Sequence, residues 1–283
     1  MRFEYLEPGS VDEAISSLAA YGGDAKAIAG GTDLILQIRN KEIEPKFVID
    51  LTTVSGLDYI NYDEKGGLRI GALTTIRSLE TSSLIRRLYP VISEAAGQLG
   101  SAAIRNMATV GGNLCNAAPS AETAPALIGL SAVARIIGVD GERSVPVEQF
   151  FTGPGTTILR DGELLAEIQV PVPAPNTKAI YLKHTKRDSI GPAIVGVCAV
   201  VSHDDEARRD VRVVLSAVAP TPIRAYLAEN GIRGRKADNA VIKTCAQLAS
   251  EEARPISDVR ASAEYRKDMV RVLTQRALRA VVG

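Results

Sequence analysis

Two adjacent glycines, Gly30 and Gly31, sit between an apolar strand-like run and an apolar helix-like run, and that junction constrains the fold more than any other stretch. Glycine enters positive φ easily and lets another backbone, or a ligand, come close. Lys26-Ala27-Ile28-Ala29 before the pair reads as a short strand, and Leu34-Ile35-Leu36-Gln37-Ile38-Arg39 after it has helical spacing. Phe47-Val48-Ile49-Asp50 is the next strand. Strand, glycine turn, helix and strand in succession describe an α/β unit. Upstream, Ser10-Val11-Asp12-Glu13 is a capping box. Val11, Ala14, Ile15, Leu18 and Ala19 form one helical face there, which Gly22-Gly23 ends.

Farther along, Thr74 to Gly100 has a mostly helical pattern broken at Pro90. A second glycine turn follows, Ala108-Thr109-Val110-Gly111-Gly112-Asn113, and then a run of small residues from Cys115 to Pro125. Ala132–Val139 and Leu164–Val170 read as strands. Pro171-Val172-Pro173-Ala174-Pro175-Asn176 is the best linker candidate, because alternating prolines stiffen the chain and remove donors. Beyond it come three strand-like runs, Ala179–Lys183, Ala193–Val201 and Val211–Val218, and then helices. That order predicts an α+β domain with one antiparallel sheet backed by helices.

Composition narrows the class. At 283 residues, with ~150 residues per domain as the prior, about two domains are expected. The 33 basic and 33 acidic side chains cancel, which argues against a protein built to hold nucleic acid or an anionic membrane. Three scattered cysteines, Cys115, Cys198 and Cys245, make neither a disulfide framework nor the thiolate set of an iron–sulfur cluster, and they suggest a reducing, cytoplasmic setting. The segment Met1–Tyr5 lacks the apolar run of a signal peptide, and the apolar stretch from Ile190 to Val201 is too short to span a bilayer as a helix. His184 and His203 are too few and too far apart for a metal site. Cys115 reads as a small buried hydrophobe. The last helix carries Arg266, Lys267, Arg271, Arg276 and Arg279, expected on its solvated face.

The chemistry suggested by the residues lies in the glycine turns. In Ala29-Gly30-Gly31-Thr32-Asp33, consecutive glycines expose backbone N–H groups, Thr32 adds a hydroxyl, and a helix begins next door. This is an environment suited to a phosphate or pyrophosphate. It is neither a Walker loop nor the dinucleotide fingerprint, and a tight turn with a helix cap is the alternative reading. Thr109-Val110-Gly111-Gly112-Asn113 repeats the chemistry. Two such cradles in one domain suit a ligand with a long, charged middle, such as a dinucleotide.

These residues also carry a family resemblance. AGGTDL at 29–34 and ATVGGNLCNAAPSAETAPAL at 108–127 resemble the FAD-binding, medium subunit of the molybdenum hydroxylases, the xanthine dehydrogenase and carbon monoxide dehydrogenase family. FFTGPGTTILRDGELLAEIQVP at 150–171, YLKHTKR at 181–187, LSAVAPTPIRA at 215–225 and ISDVRASAEYRKDMVRVL at 256–273 continue it over nearly the whole chain. The resemblance implies an α+β fold: an FAD-binding domain of the vanillyl-alcohol-oxidase (PCMH) type at 1–175, in two α/β lobes of about 1–55 and 56–175, and a C-terminal domain at 176–283 with a three-stranded antiparallel sheet. FAD would lie extended, its diphosphate held by the two glycine turns.

Carried over by residue, the resemblance gives Ile28, Ala29, Gly30, Gly31, Thr32, Asp33 and Leu34 as the first cradle. Thr109, Gly111, Gly112 and Asn113 belong to the second, with Leu99 beside the ligand. Glu122 stands where the family usually has aspartate, Leu165 would be an apolar contact, and Lys183 would reach the cofactor from the C-terminal domain. Ile190-Gly191-Pro192 falls where some relatives place an acidic residue paired with an aromatic or aliphatic one near the flavin. The implied assembly is a heterotrimer, and a dimer of heterotrimers. A large subunit holds the molybdenum cofactor and a small one holds two [2Fe–2S] clusters, and electrons pass from the clusters through FAD to NAD+ or another acceptor. A stand-alone FAD oxidase acting on its own small substrate is the alternative.

Overall fold

The computed structural model describes residues 2–186, 191–203, 209–235 and 237–282. Ile190 of the Ile190-Gly191-Pro192 segment therefore lies outside the described residues, as does the side chain of His203. The first lobe is a three-stranded parallel sheet, ordered β1 (Glu4–Leu6), β3 (Phe47–Asp50) and β2 (Ala25–Ile28). The helix Val11–Tyr21 packs against it, capped by Ser10, whose Oγ accepts from the Glu13 N–H, and ended at Gly22 with φ 47°. Ala14, Ile15 and Ile49 fill its small core together with Leu164 and Ala166 from a strand of the second lobe.

That second lobe departs from the expected α/β pattern. Its five strands, β4 (Ile60–Asp63), β5 (Gly67–Gly71), β6 (Val133–Gly138), β7 (Gly141–Pro146) and, after a small hairpin of β8 (Phe151–Gly153) and β9 (Thr156–Thr157), β10 (Glu163–Val170), pair antiparallel in the order β4-β5-β10-β6-β7. The helices between β5 and β6 are inserted as a block rather than as crossovers, so no parallel pairing arises. The helical run breaks at Pro90, as expected: one helix ends at Leu88, and Pro90 opens the next, Pro90–Gly97, at the position where its missing N–H leaves no intrahelical bond unmade.

The C-terminal domain contains β11 (Lys178–His184), β12 (Val195–His203), β13 (Arg209–Ser216) and β14 (Ile223–Arg224). Its antiparallel sheet has four strands where three were expected. The fourth is two residues long, pairing Ile223 and Arg224 with Leu215 and Val214, and so short a run after Pro222 has no alternation to read. Alternation along the three long strands decides the packing. Ile180, Leu182, Val195, Val197, Ala199, Val201, Val211, Val213 and Leu215 face the helices Tyr226–Ile232, Asn239–Glu252 and Ala263–Val282. Tyr181, Cys198, Val200 and Val214 point the other way, into the core of the first domain, where the helices Pro90–Gly97 and Thr123–Gly129 meet the sheet. No helix of the described residues is long and apolar enough to cross a membrane.

One apolar cluster thus includes residues of both domains, and Leu127, fully buried on the helix Thr123–Gly129, belongs to it. Leu127→Ala is expected to lower stability by about 2–5 kcal/mol, the range for a large-to-small core change. Urea unfolding followed by circular dichroism, with a second probe at the tyrosines, checks both the size and the prediction that the two domains lose structure together.

Candidate functional site

The first glycine turn folds as its sequence requires. Gly31 has φ 68°, and a Cβ on Gly30 would lie 1.8 Å from the Met107 carbonyl oxygen, so the turn rests directly on the backbone that leads into the second glycine pair. Gln37 Nε2 donates to Asn116 Oδ1 at 3.2 Å, a second tie between the two stretches. The backbone N–H groups of Gly30, Gly31, Thr32, Asp33 and Leu34 have no acceptor among the described residues. Successive free amides of this kind form a concave donor surface for an anion. Asp33 stands at its rim, exposed along its edge yet enclosed enough that burial raises its carboxyl pKa, against the lowering effect of the Thr32 hydroxyl.

The second glycine pair corrects the reading of its amides. Gly111 and Gly112 lie inside a short helix, Val110–Cys115, rather than in an open turn. The Gly111 N–H donates to the Ala72 carbonyl at 2.8 Å and the Gly112 N–H to Thr109 Oγ1 at 3.0 Å, so these donors are occupied within the chain. Gly111 is glycine for packing, since a Cβ there would come within 2.7 Å of Ala72. Gly112 is exposed and leaves the backbone open to close approach. Asn113 accepts a 2.5 Å hydrogen bond from Thr123 Oγ1, which ties this helix to the residue after Glu122.

Glu122 and Lys183 meet each other. Lys183 Nζ lies 2.8 Å from Glu122 Oε1 and donates to the Gln98 carbonyl oxygen, also at 2.8 Å, with its side chain only 4% exposed. An ammonium has three donors, and the third has no acceptor among the described residues. Burial raises the Glu122 carboxyl pKa; the Lys183 charge opposes that, and the nearby Asp33 charge adds to it. Glu122 is thus within electrostatic range of Asp33 at the first turn. Leu99 follows Gln98 and is buried. Leu165 is buried beneath the second pair: its neighbour Ala166 accepts the Ala72 N–H at 2.9 Å, and Ala72 in turn holds Gly111.

Several participants have no sequence signal of their own. The Gln98 carbonyl and the Asn116 and Thr123 side chains are brought in by tertiary packing. Tyr181 could have been found, because it lies two residues before Lys183 on one strand and so shares its face. Its hydroxyl and that of Ser216 are buried with no hydrogen-bond partner among the described residues; they converge over Gly196 without meeting in bonding geometry. Burial, with the Glu122 charge, holds the Tyr181 pKa well above normal. Burial likewise pushes the Cys115 thiol up to about 12, as expected of an inert side chain. His184 Nε2 and the Tyr265 hydroxyl lie 3.0 Å apart, a structural contact. Arg266 is not on the solvated face of its helix; it is buried against Asp258.

Residues 1–173 match the family model of the FAD binding domain in molybdopterin dehydrogenase, and residues 180–281 match that of the CO dehydrogenase flavoprotein C-terminal domain. The chain belongs to the FAD-binding subunits of the molybdenum hydroxylase family. It is an oxidoreductase subunit of that family. It is 30% identical to the xanthine dehydrogenase FAD-binding subunit of Escherichia coli O157:H7, covering 99% of this chain and 96% of that one. It is 31% identical to the carbon monoxide dehydrogenase medium chain of Hydrogenophaga pseudoflava, with the same coverage. A solved carbon monoxide dehydrogenase from Hydrogenophaga pseudoflava, which lacks the Mo-pyranopterin moiety of its molybdenum cofactor, superposes with a TM-score of 0.95 at 32% identity, covering 99% of this chain and 97% of that one. The flavoprotein subunit has features that fit FAD: unpartnered amides for an anionic middle, and a buried ammonium with a donor to spare.

The raised pKa of Glu122 fixes a sign. A carboxyl whose folded pKa lies above its ordinary value of 4.5 favours the fold when protonated, and that contribution is lost as pH rises through the folded pKa. Lys183→Met leaves this carboxylate buried without its counter-charge and is expected to cost about 3–5 kcal/mol at neutral pH. The loss shrinks as pH falls and the carboxyl takes a proton. Glu122→Gln leaves the buried Lys183 ammonium without its counter-charge and is expected to cost a similar amount, but with no recovery as pH falls, because no carboxyl remains to take a proton. Urea midpoints measured from about pH 4 to about pH 7 separate the two.

Proposed function

We propose that this chain is the FAD-carrying subunit of a heterotrimeric molybdenum hydroxylase. In this reading a small subunit with two [2Fe–2S] clusters delivers electrons that started at a molybdenum cofactor in a large subunit. The flavin subunit passes them to NAD+ or another acceptor, and the complex is a dimer of heterotrimers. The observation that carries the reading is the row of unpartnered amides at residues 30–34, together with the buried Lys183–Glu122 pair. The free cysteines fit a reducing compartment, and we assign the protein to the cytoplasm.

Each site residue then has a task. Ile28 to Leu34 hold the diphosphate and ribityl region through backbone N–H groups, a turn shaped by Gly30, which admits the Met107 carbonyl, and by Gly31, which takes the positive φ. Thr109 to Asn113 supply the second wall, approached closely over exposed Gly112. Leu99 and Leu165 give apolar contact and keep water out. Lys183 offers its third N–H to an electronegative cofactor atom while Glu122 and the Gln98 carbonyl hold it in place. FAD, when bound, supplies the exchange between one-electron and two-electron carriers, and the protein supplies binding, orientation and electrostatics. The domains divide at 175/176, so the cofactor is gripped by backbone from one domain and by a charged side chain from the other.

The test is FAD uptake by the full-length chain after removal of cofactor, read as quenching of flavin fluorescence. At Gly31 a side chain would be held at φ 68° with its Cβ 3.3 Å from both Ile28 Cδ1 and Ile35 Cγ1. Gly31→Val is expected to raise the FAD Kd by about tenfold or more. A wild-type chain that takes up no FAD would end this reading. Copurification of a large molybdenum-containing chain and a small iron–sulfur chain with the untagged protein tests the assembly.

A further inference from the structure

We propose that Arg266 is a positioning residue for the stretch Pro119–Glu122, acting through Ala217, and so couples the last helix to the cofactor cradle. The inference rests on the assignment of Glu122 to the FAD site. Ala217 has φ 63°, the left-handed region that a residue with a Cβ rarely enters. Such a conformation persists only where its surroundings hold it. Here both sides of the residue are held. Its N–H donates across the domain seam to the Pro119 carbonyl oxygen at 2.7 Å, and its own carbonyl accepts from Arg266 Nη1 at 2.8 Å.

Arg266 is equipped for this and for little else. It is 3% exposed. Nη1 also donates to the Ile194 carbonyl at 2.9 Å, at the entry to β12, and Nη2 donates to Asp258 Oδ1 at 2.7 Å. Burial alone would raise the pKa of Asp258, but the Arg260 and Ala261 N–H groups and the Arg266 charge hold it down at about 2. A planar guanidinium holds its donors in a fixed fork, so Arg266 braces two backbone carbonyls and the Asp258 carboxylate in one geometry. The adjoining Val218 carbonyl is held as well, by the Arg254 N–H at 2.8 Å. The sequence stretches 215–225 and 256–273, which carry much of the family resemblance but no cradle residue, therefore meet at Ala217.

The consequence falls on the other domain. Beyond local bonds and the burial of Ala117 and Ala121, three hydrogen bonds from distant parts of the chain hold the stretch from Ala117 to Glu122: the Gly155 N–H on the Ala117 carbonyl at 3.1 Å, the Ala217 N–H on Pro119, and Lys183 on Glu122. Two of the three come from the C-terminal domain. Releasing Ala217 into an ordinary negative φ swings its N–H away from Pro119 and leaves Glu122 fixed at one end only.

The experiment measures FAD Kd by fluorescence titration of the full-length apo chain, with the urea midpoint of each variant alongside. Wild-type binding is established first, so that a failure of the FAD assignment is seen separately. Ala217→Val, whose branched side chain resists positive φ, is expected to raise Kd about tenfold, and Ala217→Gly to stay within about threefold of wild type. Arg266→Met is expected to raise Kd about tenfold, and adding Ala217→Gly to recover most of that loss, because glycine keeps the left-handed conformation unaided. Where Arg266→Met does not fold, Arg266→Lys with and without Ala217→Gly takes its place. The proposal is overturned by a folded Ala217→Val chain with wild-type Kd. It is also overturned if the losses at Arg266 follow the urea midpoint and are the same with alanine or glycine at 217, as a purely structural arginine requires.

Discussion

The sheet of β11, β12 and β13 is covered on both faces, and the arrangement of the site follows from that constraint. Its outer face meets three helices of its own domain, and its inner face meets the first domain. A charged side chain on the inner face is shut off from bulk water and needs partners across the seam, since an unpaired buried charge is costly. Lys183 is the extreme case. Its ammonium draws in the Gln98 carbonyl from one element and the Glu122 carboxylate from another. The longer reach of glutamate suits this span. What looks in sequence like two isolated cofactor contacts is one interdomain ion pair.

Close approach of backbones is the second constraint, and it separates the two glycine pairs. At Gly30 the missing side chain admits the Met107 carbonyl, and the amides that follow remain without acceptors. At Gly111 it admits Ala72, whose carbonyl takes the Gly111 N–H, while Thr109 Oγ1 takes the Gly112 N–H. Identical dipeptides thus do different work because one precedes a loop and the other lies within a helical turn. Spacing and composition cannot tell these apart, because both patterns present small residues between apolar runs.

Much of the fold was legible in the sequence. The capping box at Ser10, the strand at Phe47–Asp50 and the helix at Leu34–Arg39 follow from local rules and appear as read. The antiparallel pairing of the second lobe was not legible, because β5 pairs with β10 across the intervening helices, β6 and β7, and no local signal encodes a partner so distant. β14 escaped because two residues carry no periodicity. Arg266 was read as solvated because charge on an amphipathic helix usually marks the outer face. Its burial depends on Asp258 and on the carbonyl oxygens of Ile194 and Ala217, all supplied by tertiary folding. In the site, the first turn was legible as chemistry, whereas the Glu122–Lys183 contact joins positions in different domains.

Division of labour between backbone and side chain explains why a chain of this kind keeps its architecture through extensive change. The first cradle offers N–H groups, which every residue but proline provides, so most neighbouring positions can vary without altering the donors. Side-chain identity matters at fewer places in this chain: glycine where backbones touch, and the Lys183–Glu122 ion pair across the seam. A relative with about 30% identity can therefore share nearly the whole length and the same fold, as the superposition on the carbon monoxide dehydrogenase shows at a TM-score of 0.95. The relatives' names cite substrates as unlike as xanthine and carbon monoxide. A subunit whose part is to hold FAD leaves the redox chemistry to the flavin and supplies binding, orientation and electrostatics, tasks that do not depend on which substrate the complex oxidises.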